Sequence, residues 1–385
     1  MVAVSDNGLP PRGKSSSRML PIVARPVESE VTTTVVLGAG FSKCAGLPLQ
    51  DEFSELLLSD DFEGEIEETI TATLREFLRV VFGWKKGHRL PMLEDVFTCI
   101  DLAAGSGHNL GIPKYTPKML RAIRRMAIFR IFSVLDRRFS WSPDITKLIN
   151  HACGGEAAPA AFVVLNWDIV LEKHILAALQ TAIDYRCYCF NWHTRDVATL
   201  GNGIPICKMH GSSNWAYCEN CKALFYDLEQ KLPLRIRAGL IKGDFRLFNE
   251  GLTDAKFDKA LAILPAERNC RFCHFPVSSH IATFSYRKSF RTHAYPSIWY
   301  HAERLLSEST RWIFVGYSLP EADFELKHVL KSSCLRMQHS KTKAKKQIDV
   351  VVLNDNATQE KYERFFGAGE IRVYQGGLSE YVSKL

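Results

Sequence analysis

Apolar residues along the chain form short runs that alternate with longer stretches of helical spacing. The short runs consist mainly of apolar and β-branched residues, which is typical of strands buried on both faces of a sheet. Five such runs predict strands at 31–37, 161–165, 205–209, 311–315 and 348–353. Longer stretches predict helices at 66–82, 116–139 and 170–180, and in the first of them apolar residues recur every three or four positions. Strands that alternate with helices indicate an α/β fold with a parallel sheet.

Composition narrows the class of protein. The 385 residues are 46% apolar and 24% charged, which is close to the average for globular proteins. This balance excludes a largely disordered chain and a collagen-like or coiled-coil fibre. The longest unbroken apolar stretch, 157–165, is far shorter than the about 20 residues of a membrane-spanning helix, so we expect no membrane span.

Charge and cysteine usage constrain partners and compartment. A net charge of +7 is mild for this length and is compatible with an anionic small ligand. Contact with nucleic acid is also compatible with it, but no feature supports such a contact. Eleven cysteines without a secretory signal indicate a reducing, cytoplasmic compartment, with free thiols and one metal site. Residues 1–30 are rich in Pro, Ser and Gly, and we expect a disordered tail there.

Small and polar residues follow each predicted strand, and in open parallel sheets ligands bind at these carboxyl ends. In chain order they are Gly38, Ala39, Gly40, Phe41 and Ser42, then Asn166 and Asp168, then His210, then Gly316 and Ser318, and last Asn354. Glycines let backbone N–H groups approach a pyrophosphate, and hydroxyl and amide groups hydrogen-bond ribose. The set suits a dinucleotide.

Each of these signals is weak by itself. The glycine turn lacks the third glycine of the usual dinucleotide fingerprint and also fits an ordinary tight turn. Asn166 and Asp168 also fit the cap of the following helix, and His210 fits a structural histidine. Asp323 fits either a cap for the helix after it or a residue that shapes a ligand site. Their combination and order carry the inference.

Two C-x-x-C pairs predict a metal site. They comprise Cys218, Cys221, Cys270 and Cys273. Four thiolates suit tetrahedral zinc in a closed structural site, since no ligand position is left for substrate. Free cysteines in a loop and a redox dithiol are the alternatives.

Seven stretches, in the same order and with similar spacing, make the chain resemble the sirtuin family, and more closely its prokaryotic sirtuin-like branch. They read VVLGAGFSKCAGLP (35–48), LEDVF (93–97), VVLNWD (163–168), KMHGSSNW (208–215), IATFSYRKSF (281–290), WIFVGYSLPEADF (312–324) and VVLNDN (351–356). The resemblance covers about residues 33–375 and is poorest over 54–150. It implies a Rossmann-like parallel sheet that binds NAD, a helical insertion and a small module with structural zinc.

The resemblance also implies roles for individual residues. Its glycine turn holds the NAD pyrophosphate through Gly38, Ala39, Gly40 and Ser42. Apart from the resemblance, we expect Phe41, a bulky residue in this turn, to cover the nicotinamide. Asn166 and Asp168 contact the nicotinamide ribose and amide, and His210 is the catalytic histidine, acting as general base. Gly316 and Ser318 lie beside the adenosine, and Asn354 contacts its ribose.

Two departures from protein-deacylating sirtuins favour a different reaction. Those enzymes continue the glycine turn as G-I-P-D-F-R, whereas this chain has Gly46-Leu47-Pro48-Leu49-Gln50-Asp51. Their peptide-binding F-G-E-x-L-P segment is replaced by SHIATFSYRK at 279–288. The sirtuin-like branch hydrolyses NAD, often in bacterial anti-phage defence, so we expect a gated NAD hydrolase. The alternatives are an NAD-dependent protein lysine deacylase and a non-catalytic NAD or ADP-ribose sensor.

The expected organisation follows from these assignments. We expect an NAD-binding domain from 31–211 and 281–385, with a helical insertion at about 54–150, and a zinc-binding module at 212–280. Gating implies a homo-oligomer or a partner protein. We expect the arginines of helix 117–138 to form a solvated face and the lysine-rich stretch 331–347 to form an exposed loop.

Overall fold

The structure is a computed structural model that describes residues 31–155, 160–194, 196–197, 201–248, 269–281, 294–321, 323–338 and 346–385. The predicted tail at 1–30 lies outside the described residues. Most of the segment at 279–288, which distinguishes the chain from the deacylases, also lies outside them.

The described strands fall into two sheets. They are β1 (Thr33–Leu37), β2 (Ala161–Val164), β3 (Ile183–Asp184), β4 (Phe190–Asn191), β5 (Ile204–Lys208), β6 (Gly211–Cys218), β7 (Leu224–Tyr226), β8 (Val277–Ile281), β9 (Arg311–Val315), β10 (Gln347–Val351) and β11 (Ile371–Tyr374). The five strands predicted from apolar runs are all present, with bounds within two residues of those expected.

The described helices lie mainly between strands of the larger sheet. They are α1 (Ala39–Lys43), α2 (Gln50–Leu57), α3 (Gly64–Phe82), α4 (Leu93–Ser106), α5 (Pro117–Arg138), α6 (Pro143–Cys153), α7 (Val170–Leu179), α8 (Leu234–Arg237), α9 (Lys242–Arg246), α10 (Ala294–Glu308), α11 (Phe324–Gln338), α12 (Asn356–Phe366) and α13 (Gly377–Ser383). In the part of the chain that the structure describes, every helix is too short or too polar to span a bilayer.

The larger sheet is parallel and has seven strands in the order β11-β10-β9-β1-β2-β5-β3. The α/β class with a parallel central sheet is therefore confirmed. From β1 the chain continues to β2 on one side, and only much later does β9 pair with the other side of β1. This reversal of strand order opens a crevice beside β1, where open α/β sheets bind ligands.

Helices α2 to α6 form the helical insertion between β1 and β2. The longest of them, α5, begins where the Thr116 side chain accepts a hydrogen bond from the Met119 N–H, with Pro117 in the first turn. Both features favour a helix start at this point. Because α5 packs against α3 and α4 on one side and contacts α8 and α9 on another, it has little solvated surface.

The expectation of a solvated arginine face on α5 holds for Arg121 and Arg138, which are exposed, but is wrong for the middle of the helix. Arg130 is fully buried and pairs with Glu67 of α3 at 2.6 Å. Arg125 pairs with the buried Asp244 of α9, and Arg124 pairs with Asp101 of α4 at 2.9 Å. These three arginines join α5 to α3, α4 and α9, because those helices pack against it.

The lysine-rich stretch 331–347 also differs from the expected exposed loop. Residues 331–338 are the end of α11, and 339–345 lie outside the described residues. Lys346 packs over the Trp312 ring, with its Nζ 3.8 Å from the ring centroid, and donates to the Leu306 carbonyl. Burial lowers the pKa of Lys346 to about 8. Its aliphatic stem and ring contact draw it into the protein.

The smaller sheet has four strands in the order β4-β7-β6-β8. Its β6 pairs antiparallel with both β7 and β8. A separate cluster of buried side chains lies against it, including Phe225, Leu232, Ile236 and Val277. This cluster is much smaller than the main core, to which the smaller sheet also contributes Trp215 and Tyr217, so hydrophobic support is limited at the cysteine end of the sheet.

Candidate active site and metal centre

The carboxyl ends of five neighbouring strands lie level with one another. Pairing register places Leu37, Val164, Lys208, Val315 and Val351 in one row across the sheet. Each predicted site residue follows its member of this row within five positions of the chain. The sheet therefore brings the five motifs to a single edge, as parallel strands require.

The glycine turn after β1 packs backbone-to-backbone against the turn after β9. The Gly40 N–H donates to the Gly316 carbonyl at 2.9 Å, and the Gly38 N–H donates to the Val315 carbonyl at 3.0 Å. A Cβ on Gly316 would lie 2.3 Å from the Gly40 carbonyl carbon, and Gly316 has φ +62°. Close packing of the two turns thus requires glycine here, before any ligand is considered.

This packing limits which N–H groups can face a ligand. The N–H groups of Gly38, Gly40 and Phe41 all donate to backbone carbonyls. Ala39 is half-buried, and no described residue accepts a hydrogen bond from its N–H. Phe41 is only 1% exposed and belongs to the main core, so its expected contact with nicotinamide stays a prediction.

Three polar side chains form a hydrogen-bonded group beside the glycine turn. Asn166 Nδ2 donates to the Gly38 carbonyl and to Ser42 Oγ, both at 2.8 Å. Ser42 Oγ in turn donates to Asp168 Oδ2 at 2.8 Å. Because a carbonyl oxygen only accepts, the Asn166 amide nitrogen must face Gly38. The Asn166 Oδ1 then faces away from Gly38, and no described residue donates to it.

Asp168 also supports the start of the following helix, although Ile169 and not Asp168 occupies the N-cap position. Its Oδ1 accepts a hydrogen bond from the Val170 N–H at 3.0 Å, at the start of α7. Its other oxygen is the one bonded to Ser42. One carboxylate thus joins the first turn of α7 to the residues around the glycine turn, so the start of the helix and the site share this residue.

His210 lies just beyond β5 with its ring orientation set by β2. Its Nδ1 lies 3.1 Å from the Leu165 carbonyl oxygen, and its side chain is 15% exposed. Since that oxygen only accepts, Nδ1 carries the proton and Nε2 is the basic nitrogen of the neutral ring. The ring is therefore oriented as a general base requires.

Asp323 lies beside His210, a position that neither of its sequence-based roles specified. Its Oδ1 is 3.8 Å from His210 Nε2, and its Oδ2 accepts from the Tyr317 hydroxyl at 2.9 Å. The carboxylate is thus directed to the imidazole, while the Asp323 backbone carbonyl accepts from Lys327 in α11. An anion at this distance stabilises a protonated imidazole.

Two charged residues beneath the site were missed in the sequence. Lys208 in β5 and Glu172 in α7 form a fully buried pair at 3.3 Å. Lys208 Nζ also donates to the Asp168 carbonyl oxygen. The only signal was Lys208 at the end of the apolar run 204–207, next to the His-Gly motif; Glu172 is followed by Lys173 and His174 and gave no signal.

The two residues expected at the adenosine end are exposed. Ser318 follows the β9 turn, and Asn354 follows β10 in a left-handed conformation at φ +49°. The Asn354 N–H donates to the Gln375 carbonyl at 2.9 Å. Their side chains lie at the solvent side of the sheet edge, and their contacts with adenosine stay predictions.

The four predicted metal ligands meet in one cluster. The Sγ atoms of Cys218, Cys221, Cys270 and Cys273 lie within 4.8 Å of one another, and two of the pairs are 3.4 Å apart. A zinc ion with about 2.3 Å bonds to four thiolates holds its sulfurs roughly 3.8 Å apart. The four cysteines could therefore hold a zinc ion.

The two pairs belong to turns of the same design. The Lys222 N–H donates to the Cys218 carbonyl, and the His274 N–H donates to the Cys270 carbonyl. Lys222 and His274 occupy the same place after each pair, and both have positive φ, at +64° and +58°. This repeated geometry aims two thiols from each turn at one point. None of the eleven cysteines forms a disulfide.

Comparison with known proteins gives a distant likeness. No family model matches the chain, and no curated protein matches it significantly. The chain is similar to a solved structure described as "Sir2-p53 peptide-NAD+", with 13% identity, a TM-score of 0.40, and 93% of this chain and 92% of that chain covered. With the same coverage, it is similar to "Structure of Sir2Tm bound to a propionylated peptide" at 12% identity and a TM-score of 0.40. A structure described as "The Structural basis for Sirtuin Substrate affinity" has 12% identity, a TM-score of 0.37 and again the same coverage. At such values the likeness carries no argument about function, which depends on the geometry of this chain's own residues.

Proposed function

We propose that the protein is an NAD hydrolase that cleaves the nicotinamide–ribose bond and releases nicotinamide and ADP-ribose. The observation that carries the proposal is the Ser42–Asn166–Asp168 hydrogen-bonded group beside an oriented His210, at the crevice next to β1. A parallel sheet with this crevice suits a dinucleotide. The motifs that hold these residues are those that resemble the sirtuin-like branch.

The chemistry needs two tasks that these side chains can perform. Cleavage develops positive charge on the ribose, so the sugar must be oriented and its charge stabilised by fixed dipoles. Asn166 Oδ1 is suited to accept a hydrogen bond from a ribose hydroxyl or from the attacking water. His210 Nε2 is suited to take the proton, and Asp323 would stabilise the resulting imidazolium.

The remaining contacts with NAD follow the motif order. The turn at Gly38, Ala39, Gly40 and Ser42 would hold the pyrophosphate, with the Ala39 N–H as the donor left available by backbone packing. Gly316, Ser318 and Asn354 would lie along the adenosine. Phe41 supports the turn from the core side.

Hydrolysis is preferred to deacylation because of two local sequences. The residues after the glycine turn, Gly46 to Asp51, lack the Asp-Phe-Arg group of deacylases. Residues 279–288 lack their peptide-binding segment. A hydrolase needs only NAD and water, so neither feature is required of it.

The wider role is part of the proposal. An ungated NAD hydrolase is toxic, so a homo-oligomer or a partner protein would hold it inactive, in the cytoplasm, as an effector of anti-phage defence. We propose the same division of the chain as above, with structural zinc stabilising a module at 212–280 and the NAD-binding domain formed by 31–211 and 281–385.

The test measures NAD, nicotinamide and ADP-ribose in cells that express the wild type or His210→Ala, with and without phage challenge, and then with purified protein. Removal of a positioned general base lowers rates by about 10²- to 10⁴-fold, so only the wild type should deplete NAD. His151→Ala, an exposed histidine in α6, is the matched control and should behave as the wild type.

Two results would redirect the proposal. Release of O-acetyl-ADP-ribose only when an acetyl-lysine peptide is added would identify a deacylase. Tight NAD binding, with no loss of NAD in any condition, would favour the sensor.

A further inference from the structure

A buried ion pair lies directly beneath the proposed active site. Lys208 Nζ is 3.3 Å from Glu172 Oε1, and neither side chain has any exposed surface. Lys208 comes from the end of β5, and Glu172 comes from the first turn of α7. The same Nζ donates to the carbonyl oxygen of Asp168. One ammonium group therefore joins a strand, a helix and the turn between β2 and α7.

A contribution to folding stability does not by itself explain why an ion pair is buried here. Removing two charges from water is costly, and well-packed neutral residues of similar volume are often at least as stable. Burial raises the pKa of Glu172, and the nearby Lys208 opposes that rise. Within the described residues Glu172 Oε2 has no hydrogen-bond partner, which adds to the cost.

The position of the pair relates it to both catalytic motifs. Lys208 precedes His210 by two residues, and Asp168 follows Asn166 by two. The bond from Lys208 Nζ to the Asp168 carbonyl thus ties the strand that carries His210 to the turn that carries Asn166. The Ser213 N–H bond to the Trp167 carbonyl, at 2.7 Å, ties the same two segments through backbone alone.

A short network holds the acceptor of this lysine in place. The Tyr185 hydroxyl donates to Glu172 Oε1 at 3.4 Å, and Asn214 Nδ2 donates to the Tyr185 oxygen at 3.1 Å. Tyr185 and Asn214 are both buried. Glu172 therefore has restricted freedom to move, and it restricts Lys208 in turn.

We propose that Lys208 and Glu172 are positioning residues, which set the distance between the His210 imidazole and the Asn166 amide. The proposal rests on the proposed NAD hydrolysis and deepens it, because neither residue touches the substrate. A displacement of about 1 Å of a catalytic group can lower a rate by roughly 10²-fold. Loss of the Lys208 bond to the turn should therefore lower kcat far more than it weakens NAD binding.

The main test uses the double variant Lys208→Met with Glu172→Gln. Both substitutions keep approximate volume and remove both charges, so the variant should fold with a Tm near that of the wild type. We expect kcat to fall at least about tenfold while KM for NAD changes less than about threefold. The matched control, Arg130→Met with Glu67→Leu, removes the buried pair of the helical insertion. Because Glu67 also accepts from Ser133 and pairs with Arg137, the control should lower Tm, but it should leave kcat unchanged.

Amide hydrogen exchange supplies a readout that does not depend on turnover. The double variant should increase exchange in peptides that cover residues 166–170, because the turn loses its tie to β5. If the wild type releases no nicotinamide, the proposed hydrolysis has failed, and exchange still decides the positioning role.

A single variant covers the case in which the double variant does not fold. Glu172→Gln keeps Lys208 and a neutral acceptor for it, and we expect a smaller loss of kcat, about two- to tenfold, with a smaller increase in exchange. A folded variant of either kind with wild-type kcat and wild-type exchange at 166–170 would overturn the proposal.

Discussion

The edge of the parallel sheet and the cysteine cluster both bring together residues that are distant in the chain, but they do so in different ways. At the sheet edge, Asn166 meets Gly38 and Ser42 across more than 120 positions of chain, and the side chains meet because the strands are level. In the cysteine cluster each turn supplies two thiols by local geometry, and only the two turns must be brought together.

The difference lies in what supports each region. The sheet edge rests on the main hydrophobic core, whose central strands are fully buried. The smaller sheet contributes Trp215 and Tyr217 to that core, but at its cysteine end it has only the minor buried cluster. A small core needs an additional constraint such as a metal. Metal removal should therefore unfold the smaller sheet and not the parallel sheet, whereas backbone overpacking should disturb the edge of the parallel sheet and not the smaller sheet.

The largest effect is expected from loss of a metal ligand. Structural zinc contributes about 10–16 kcal/mol to the folding of isolated zinc-finger peptides, and zinc held by the four thiolates would act in the same way. Cys221→Ser should therefore lose bound zinc and unfold the smaller sheet, measured by zinc content and thermal melting. Cys44→Ser, also exposed, is the control and should retain both. A zinc-free Cys221→Ser protein with the wild-type melting profile would show that no metal supports this sheet.

The next effect tests the backbone contact between the two turns. In Gly316→Ala the new Cβ would lie 2.3 Å from the Gly40 carbonyl carbon, in a residue with φ +62°. Left-handed strain and overpacking together should cost about 3 kcal/mol and abolish NAD binding.

Gly83→Ala separates strain from overpacking. Gly83 ends α3 at φ +65°, and a Cβ there meets nothing within 4 Å. It should cost about 1–2 kcal/mol from strain alone and leave NAD binding intact. Equal losses of stability in the two variants would refute the requirement for close packing. Denaturant titration and calorimetric NAD binding provide the measurements.

The smallest effect is a pH dependence at the junction of the two regions. His280 in β8 stacks between Tyr217 and Tyr295, at 4.7 and 4.8 Å between ring centroids, and burial lowers its pKa to about 4. The unfolded state, with a pKa of about 6.5, binds the proton first as pH falls. The stability conferred by the neutral His280 is therefore fully present above pH 6.5 and is lost as pH falls towards 4.

A variant isolates this contribution from other acid effects. His280→Phe keeps a stacked ring without a titratable group, so at pH 5 it should avoid a loss of about 1–2 kcal/mol that the wild type suffers relative to pH 7.5. His151→Phe, on the surface of α6, is the control. Denaturant unfolding from pH 7.5 to 5 measures the free energy of unfolding of each protein. Parallel dependence on pH for the wild type and His280→Phe would contradict the expectation.

Local features were predictable from residues close together in the chain. Runs of apolar and β-branched residues located five strands, and the residues just after them contained the Asn166 and His210 motifs. The C-x-x-C spacing located four thiols that do cluster. These signals need only a few residues each, so no long-range contact has to be known.

Side-chain destinations were less predictable. Arg130 lies on a helix rich in arginine, yet it is buried because α3 covers that side of α5. Asp323 fitted a cap, but its carboxylate is directed to His210 because the β9 turn lies against the β1 turn. In each case a residue far away in the chain decides the outcome.

The sequence by itself determined five central strands of the parallel sheet, three of the helices, their order, and the polar residues that follow each of those strands. Only the tertiary structure decided that β9 pairs with β1, which presses Gly316 against Gly40, and that Lys208 reaches Glu172 and the Asp168 carbonyl. The physical reason is the distance along the chain over which each effect acts. Backbone propensity and apolar spacing act over a few residues, whereas sheet order and register set which distant side chains share one buried space.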